Sequence, residues 1–363
     1  MDTTKDWLEL AAAAGVSGAE EPVRQVVMRR LGERSQWAWV DALGNIVVPV
    51  AAGPSKTQGA SRPRLVLSAP LDEPGLVVTH IDAAGWLRVD VVGELPAARL
   101  EGRVVLFETR ESERRPVAGL IGIDRRQRRA ADGHEIHDEE WGAEDLFVDI
   151  GAISAQQAAS RVPLGSVGVI ETSDVRNLGE TFPGLNRWLG RTVGRRLLVE
   201  VLLHVFARPQ IAGEPWLLFA AQSLLHGRGV EGALADLRPQ YYIPLLPIPA
   251  EDWPVSARDG EIRLGQGPVL IVEEGDGVSD RQLLALAHKL AQANGIPVQW
   301  RAASTRGSND LGEGLWVRGG VRTLGLGLPV RMRTGMAEMV DQRDADGLER
   351  LLMALLGAMG EPG

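Results

Sequence analysis

The spacing of apolar residues changes character several times along the chain. At the amino end, Thr3-Thr4 precede a helical pattern from about Lys5 to Ala14, which Gly15 ends. After Gly18 and Pro22 a second helical pattern runs to about Arg34, with Val23, Val26, Val27 and Leu31 at helical spacing. Alternation then takes over. Trp37, Trp39 and Asp41 lead into the turn Ala42-Leu43-Gly44-Asn45 and the run Ile46-Val47-Val48, which together predict a hairpin. Residues 51–63 are rich in Gly, Pro and Ser and predict a loop. Arg64 to Ala69 predicts a short strand at the centre of a sheet.

From about 73 to 165 the pattern is one of short strands: Leu76–Ile81, Trp86–Val91, Arg103–Phe107 and Val117–Ile123, separated by turns at Ala83-Ala84-Gly85 and Glu94–Leu100. No long helix is predicted there, and residues 124–144 read as a charged loop. This is the pattern of a small β-domain. From about 166 strand-like and helix-like segments alternate. Helices are predicted near Arg195–Ala207, Gly229–Leu237, Ser279–Asn294 and Asp344–Met359. Strands are predicted near Trp216–Ala221, Tyr241–Leu246, Val298–Ala302 and Thr323–Leu328. Such alternation predicts an α/β fold, a sheet covered by helices on both faces. The expectation is therefore one α/β domain, residues 1–72 and 166–363, interrupted by an inserted all-β, barrel-like domain at 73–165.

Composition narrows the function classes. The 363 residues carry 44% hydrophobic and 24% charged side chains, an ordinary globular balance. There is no cysteine, so disulfides, thiolate metal sites and cysteine nucleophiles are excluded. No apolar run approaches the roughly 18 residues of a membrane helix. The start, Met1-Asp2-Thr3-Thr4-Lys5-Asp6, lacks the pattern of a signal peptide, so the expected location is cytoplasmic. A formal net charge of −9 argues against a nucleic-acid binder.

Standard catalytic motifs are missing: no phosphate loop, no Gly-x-Ser-x-Gly elbow and no His-Glu-x-x-His helix. Gly325-Leu326-Gly327 is followed too soon by Pro329 to open a phosphate-binding helix, and reads as a tight strand end. The densest ligand-like run is His134-Glu135-Ile136-His137-Asp138-Glu139-Glu140. Its polarity makes it a solvated loop in the first instance, although two imidazoles and several carboxylates have the chemistry to hold a divalent metal.

Several short segments, in order over nearly the whole chain, resemble one family. These are Ala14-Gly15-Val16-Ser17-Gly18-Ala19-Glu20-Glu21-Pro22-Val23, the D-x-x-G-N segment Asp41–Asn45, and Leu67-Ser68-Ala69-Pro70-Leu71-Asp72-Glu73-Pro74-Gly75. Further along come Asp145–Ala152, then Ala221-Gln222 with Gly227-Arg228-Gly229, and Leu328–Arg331 with Glu338–Asp341. Together they are similar to the tetrahedral (TET) aminopeptidases, family forty-two of the metallopeptidases. The resemblance implies a zinc-aminopeptidase-like fold, an inserted β-domain used for dimerisation, and assembly to a dimer at least, up to a dodecamer.

The resemblance also implies a two-metal centre with a glutamate as general base. Carried over position by position, the five ligands fall on Pro70, Gly194, Leu224, Leu246 and Thr334, and the base falls on Ser223. None of these is the residue the chemistry requires. Asp72, Arg196 and Asp310 remain where the family has nearby polar residues. The expectation is a chain without cofactor or catalytic metal: a non-catalytic homologue with a structural, regulatory or binding role. Two alternatives stand beside it. One is a metal-dependent aminopeptidase with an unrecognised ligand set, drawn from His80, His134, His137, His204, His226 and His288. The other is a hydrolase rebuilt on Ser223 and His226, with Asp72 or Asp310 orienting the imidazole. A former cleft lined by Arg195, Arg196, Arg331 and Arg333 would suit a peptide terminus or other anion, unless internal ion pairs consume these arginines. No membrane or nucleic-acid partner is expected.

Overall fold

The computed structural model describes residues 3–50, 65–108, 115–124, 141–172, 174–182, 184–208, 215–254, 262–303, 309–333 and 336–360. The His134–Glu140 run and Thr334 lie outside them. The chain begins with α1 (Thr3–Ala12), α2 (Glu21–Arg30), β1 (Trp39–Val40), β2 (Ile46–Pro49) and β3 (Leu65–Pro70). There follow β4 (Gly75–Ile81), β5 (Leu87–Val92), β6 (Val104–Phe107), β7 (Val117–Ile123), β8 (Leu146–Asp149), α3 (Ala155–Arg161) and β9 (Val167–Ile170). The middle of the chain forms β10 (Arg176–Asn177), β11 (Arg187–Gly190), α4 (Val193–Ala207), β12 (Trp216–Ala220), α5 (Arg228–Leu237) and β13 (Tyr241–Pro249). The last third forms β14 (Val269–Glu274), β15 (Gly277–Val278), α6 (Arg281–Ala293), β16 (Gln299–Ala303), α7 (Asp310–Trp316), β17 (Arg322–Thr323), β18 (Gly325–Val330), β19 (Glu338–Asp341) and α8 (Gln342–Gly360).

Two compact units result, one of residues 1–72 with 173–363 and one of residues 73–172. The second unit is a closed barrel in the order β4-β5-β8-β7-β6-β9. The boundary read at 165 therefore needs correction. Strand β9 closes the barrel by pairing with both β4 and β6, so it cannot belong to the larger sheet. Helix α3, only seven residues long, is too short for its period to show in the sequence; the Ser154 hydroxyl caps it by accepting the Gln157 N–H at 3.2 Å.

The first unit is built on a mixed sheet with the path β1-β2-β12-β3-β13-β18-β14-β15. Strands β12, β3, β13 and β18 run parallel to one another. Alternate residues of the central strands point to opposite faces, and both faces are covered. Leu65, Leu67 and Ala69 join one core with Leu217 and Phe219, under α4 and α8. Val66, Leu218 and Ala220 join another with Val230, Ala233 and Leu234 of α5. Because both faces are buried, these strands read as continuous apolar runs. Helix α4 is enclosed along most of its length, with Leu197 to Leu203 all buried, Glu200 included. The parallel strands end on a common edge, where an open α/β sheet places its binding crevice.

Candidate functional site

The residues singled out above gather at this edge. Asp72 lies two positions past β3, Ser223 three past β12, and Asp310 opens α7. The Asp41–Asn45 turn supports them from below. Asp41 Oδ1 accepts the Leu43 and Asn45 N–H groups at 2.9 and 3.0 Å, and Gly44 takes a φ of 93° that other residues avoid. Asn45, fully buried, donates to the Gly229 carbonyl and accepts the Ala221 N–H, which pins the loop between β12 and α5 to the hairpin.

Asp72 is fully buried, and both its oxygens are engaged. Oδ2 accepts the Ser17 hydroxyl at 2.5 Å and the Leu224 N–H at 2.7 Å. Oδ1 accepts Arg195 Nη1 at 2.7 Å. Asp72 thus joins three segments distant in sequence. Arg196, also fully buried, donates to the carbonyls of Leu71 at 2.5 Å and Ala13 at 3.0 Å. Its role is that of a strut between the end of β3 and the amino-terminal loop.

Asp310 accepts the Ser223 hydroxyl on Oδ2 at 2.7 Å, while its buried Oδ1 has no hydrogen-bond partner. Burial pushes its carboxyl up to about 6, against the lowering effect of the Ser223 bond, and the nearby Asp72 charge adds to the rise. Behind it lies Tyr242, fully buried, its phenol 2.6 Å from Ser68 Oγ. Burial and the Asp310 charge raise that phenol well above the ordinary tyrosine value.

The rebuilt Ser-His arrangement does not form. The Ser223 hydroxyl is given to Asp310, and His226 is exposed with a φ of 59°. The 223–227 turn closes through the Gly227 N–H to the Ser223 carbonyl at 3.0 Å, and this geometry sends residue 226 outward. Nor does Asp72 or Asp310 orient the imidazole, since neither bonds it. The arginine-lined cleft is likewise consumed internally. Arg195 holds Asp72, Arg196 holds two carbonyls, and Arg331 makes a bidentate pair with Asp252 at 3.0 and 2.6 Å. That pair outweighs the burial that would otherwise raise Asp252, and holds its carboxyl below the ordinary range. Arg333 makes contacts of its own.

The fit to a two-metal centre can be tested on geometry. Pro70, Gly194, Leu224 and Leu246 bring no side-chain donor atom, and Pro70 and Leu246 are buried. Position 194 has no room for a carboxylate. A Cβ there would lie 2.5 Å from Val330 Cγ2 and 3.2 Å from Glu338 Oε2, and Glu338 already accepts the Gly194 N–H at 2.9 Å. Among the described residues no group of three or more His, Asp or Glu is placed to hold a metal ion. The described histidines are scattered: His80 on β4, His204 between Glu200 and Glu349, His226 outward, and His288 edge-on to Trp300. The residues present do not fit the group.

Sequence reasoning missed the Ser17 hydroxyl, the Leu224 N–H and the Glu338 plug. Ser17 lies inside a segment that the resemblance had marked, so it was within reach. Glu338 also lies in a marked segment, but its contact spans 144 positions, and Leu224 acts through a backbone group, so no local pattern announces either role.

Comparison with known proteins accords with this architecture. A lysyl aminopeptidase of Pyrococcus furiosus is 25% identical over 97% of this chain and 96% of its own. The TET aminopeptidase of a marine-sediment Thaumarchaeota archaeon superposes with a TM-score of 0.84 at 22% identity, covering 98% of this chain and 97% of that one. The TET1 peptidase of Pyrococcus horikoshii superposes with a TM-score of 0.78 at 23% identity, over 98% and 99%. The family model for M42 glutamyl aminopeptidases matches residues 52–351, and the chain belongs to that family.

Proposed function

We propose that this chain is a non-catalytic member of the family, one that keeps the fold and the surfaces of assembly without the metal-dependent hydrolysis. The observation that carries the reading is the closure of position 194. Val330 and Glu338 fill the space a carboxylate would need, next to a buried aspartate already satisfied by Ser17, Leu224 and Arg195. A dinuclear centre brings about four positive charges, which anionic ligands must offset. Proline, glycine and leucine offset none. Ser223, at the base position, has a hydroxyl that accepts no proton at neutral pH, and it is donated to Asp310.

The test is elemental analysis of the purified chain together with turnover of chromogenic aminoacyl substrates, with and without added cobalt or zinc. The expected result is no stoichiometric metal and no turnover that survives further purification. Two tightly held metals per chain with chelator-sensitive turnover would reject the reading and favour the alternative ligand set. Turnover lost in Ser223→Ala would favour the rebuilt hydrolase.

The Pyrococcus horikoshii relative can assemble into a tetrahedron or a large octahedral shell. For this chain we infer a homo-oligomer, a dimer at least, formed largely through the 73–172 unit. That unit exposes Leu120, Ile153 and Leu164, the second of them 84% exposed, and we place these residues in that interface. No helix among the described residues is long and apolar enough to cross a membrane.

A further inference from the structure

The geometry points to Arg195 as the resident cation of this site: its guanidinium is the charged partner of the buried Asp72, the carboxylate on which three segments meet, in the place where a metallopeptidase relies on bound metal. This rests on the non-catalytic reading above and goes beyond it, because it names what holds the site together without metal.

A carboxylate removed from water is costly unless it is paired and hydrogen-bonded. Asp72 has no exposed surface. Two of its three partners, the Ser17 hydroxyl and the Leu224 N–H, are neutral. The third is Arg195, whose side chain is only 11% exposed, so solvent screens the pair weakly. The neighbouring cations are committed elsewhere, Arg331 to Asp252 and Arg196 to the Leu71 and Ala13 carbonyls.

Position in the fold strengthens the assignment. Arg195 lies in the first turn of α4, where a cation is misplaced against the helix dipole and no acidic residue accompanies it. The Asp72 carboxylate offsets that misplacement. The pair is also flanked by the altered positions themselves. Pro70 is two residues before Asp72, Gly194 is the residue before Arg195, and Leu224 donates its own N–H to Asp72. The substitutions that remove metal donors and the arginine that brings a fixed charge therefore occupy one place. Arg195 is a positioning residue; no reaction is assigned to it.

The test is a mutant cycle read by thermal unfolding of the full chain, with chemical rescue. Arg195→Ala and Asp72→Asn are each expected to lower Tm by about 5–10 °C, because each leaves its partner buried and uncompensated. The double variant is expected to lose clearly less than the two single losses combined. Guanidinium chloride at about 10 mM, against sodium chloride at equal ionic strength, is expected to raise the Tm of Arg195→Ala by a few degrees and to leave the double variant unmoved, since only the single variant offers an empty cation site. If Arg195→Ala does not fold, Arg195→Lys and Arg195→Gln carry the comparison: the charged replacement is expected to keep the higher Tm. Additive losses, unchanged single variants, equal Tm for the Lys and Gln variants, or rescue of Arg195→Ala by zinc and not by guanidinium would each overturn the proposal. The non-catalytic reading fails separately, on metal content and turnover of the unmodified chain, and survives a failed cycle.

Discussion

At the scale of single residues, the loops around the site carry an unusual share of backbone strain. Thr192, Gln222, His226 and Met332 have φ values of 47°, 54°, 59° and 60°, in a region that side chains other than glycine avoid. Each such residue costs on the order of 1–3 kcal/mol. The surrounding bonds hold Gln222 there, since its N–H reaches Glu20 at 2.8 Å and its amide the Leu43 carbonyl at 3.1 Å. The His226 side chain is exposed, and no hydrogen bond to it forms among the described residues. Replacing it by glycine removes that strain at an exposed side chain. His226→Gly is therefore expected to raise stability by up to about 1 kcal/mol, or roughly 2–4 °C in Tm. A lower Tm in a thermal melt would show that the imidazole is engaged. The chemistry of Asp72, Arg196 and Asp310 was legible from the motifs. Their partners were not, because a partner is chosen by proximity in space.

At the scale of elements, α4 is the organising piece, and two predictions belong to it. Its second residue, Gly194, packs against β18 so closely that a Cβ would meet Val330 Cγ2 at 2.5 Å. Helix propensity alone favours alanine by about 1 kcal/mol. Overpacking costs about 1–3 kcal/mol, and here it presses on the branched, fully buried Val330 side chain. Gly194→Ala is thus expected to be destabilised in urea unfolding, and a raised midpoint would show that the β18 contact is loose. Near its other end, His204 stands between Glu200 of the same helix at 3.0 Å and Glu349 at 3.1 Å, the latter contact joining α4 to α8. Hydrogen bonds to Glu200, then to Glu349, raise its imidazole to about 9. The folded value exceeds the unfolded one, so this stabilisation is complete below about pH 6.5 and is lost as pH rises through about 9. The side chain is 41% exposed, so solvent weakens the effect. Tm is expected to decline between pH 7 and 10 in the unmodified chain and to decline less in His204→Gln. Equal slopes would remove His204 from the account. The longer elements were visible in the sequence. Helix α7, seven residues capped by Asn309 accepting the Leu311 and Gly312 N–H groups, was too short for its period to register. Strand β14 also went unpredicted: its apolar run stops at Val272, and Glu273 and Glu274 complete the strand.

At the scale of the whole molecule, the site and the proposed assembly draw on different parts of the chain. Position 194 and Asp72 belong to the first unit, and the candidate dimerisation surface belongs to the second. An interface depends on shape and apolar area, not on metal ligands, so substitutions at one need not disturb the other. Light scattering at micromolar concentration is expected to give a mass at least twice 39.1 kDa. Substituting Ile153 and Leu164 by Asp is expected to lower that mass without lowering secondary-structure content. A monomer mass for the unmodified chain would refute the expectation.

The sequence by itself determined what each position can do chemically. Proline, glycine and leucine lack donor atoms in any conformation, so the expectation that Pro70, Gly194, Leu224 and Leu246 hold no metal needed no coordinates. It also determined the succession of helices and strands wherever an element was long enough for its period to show, because periodicity is a local property. Tertiary structure alone decided which groups meet. Arg195 and not Arg331 reaches Asp72, across 123 positions, and Ser223 turns to Asp310 and not to His226. Strand β9 closes the barrel, although the sequence places it beside elements of the sheet. These choices follow from the path of the chain through two cores, where burial leaves a charged or polar group only the partners that packing brings within reach.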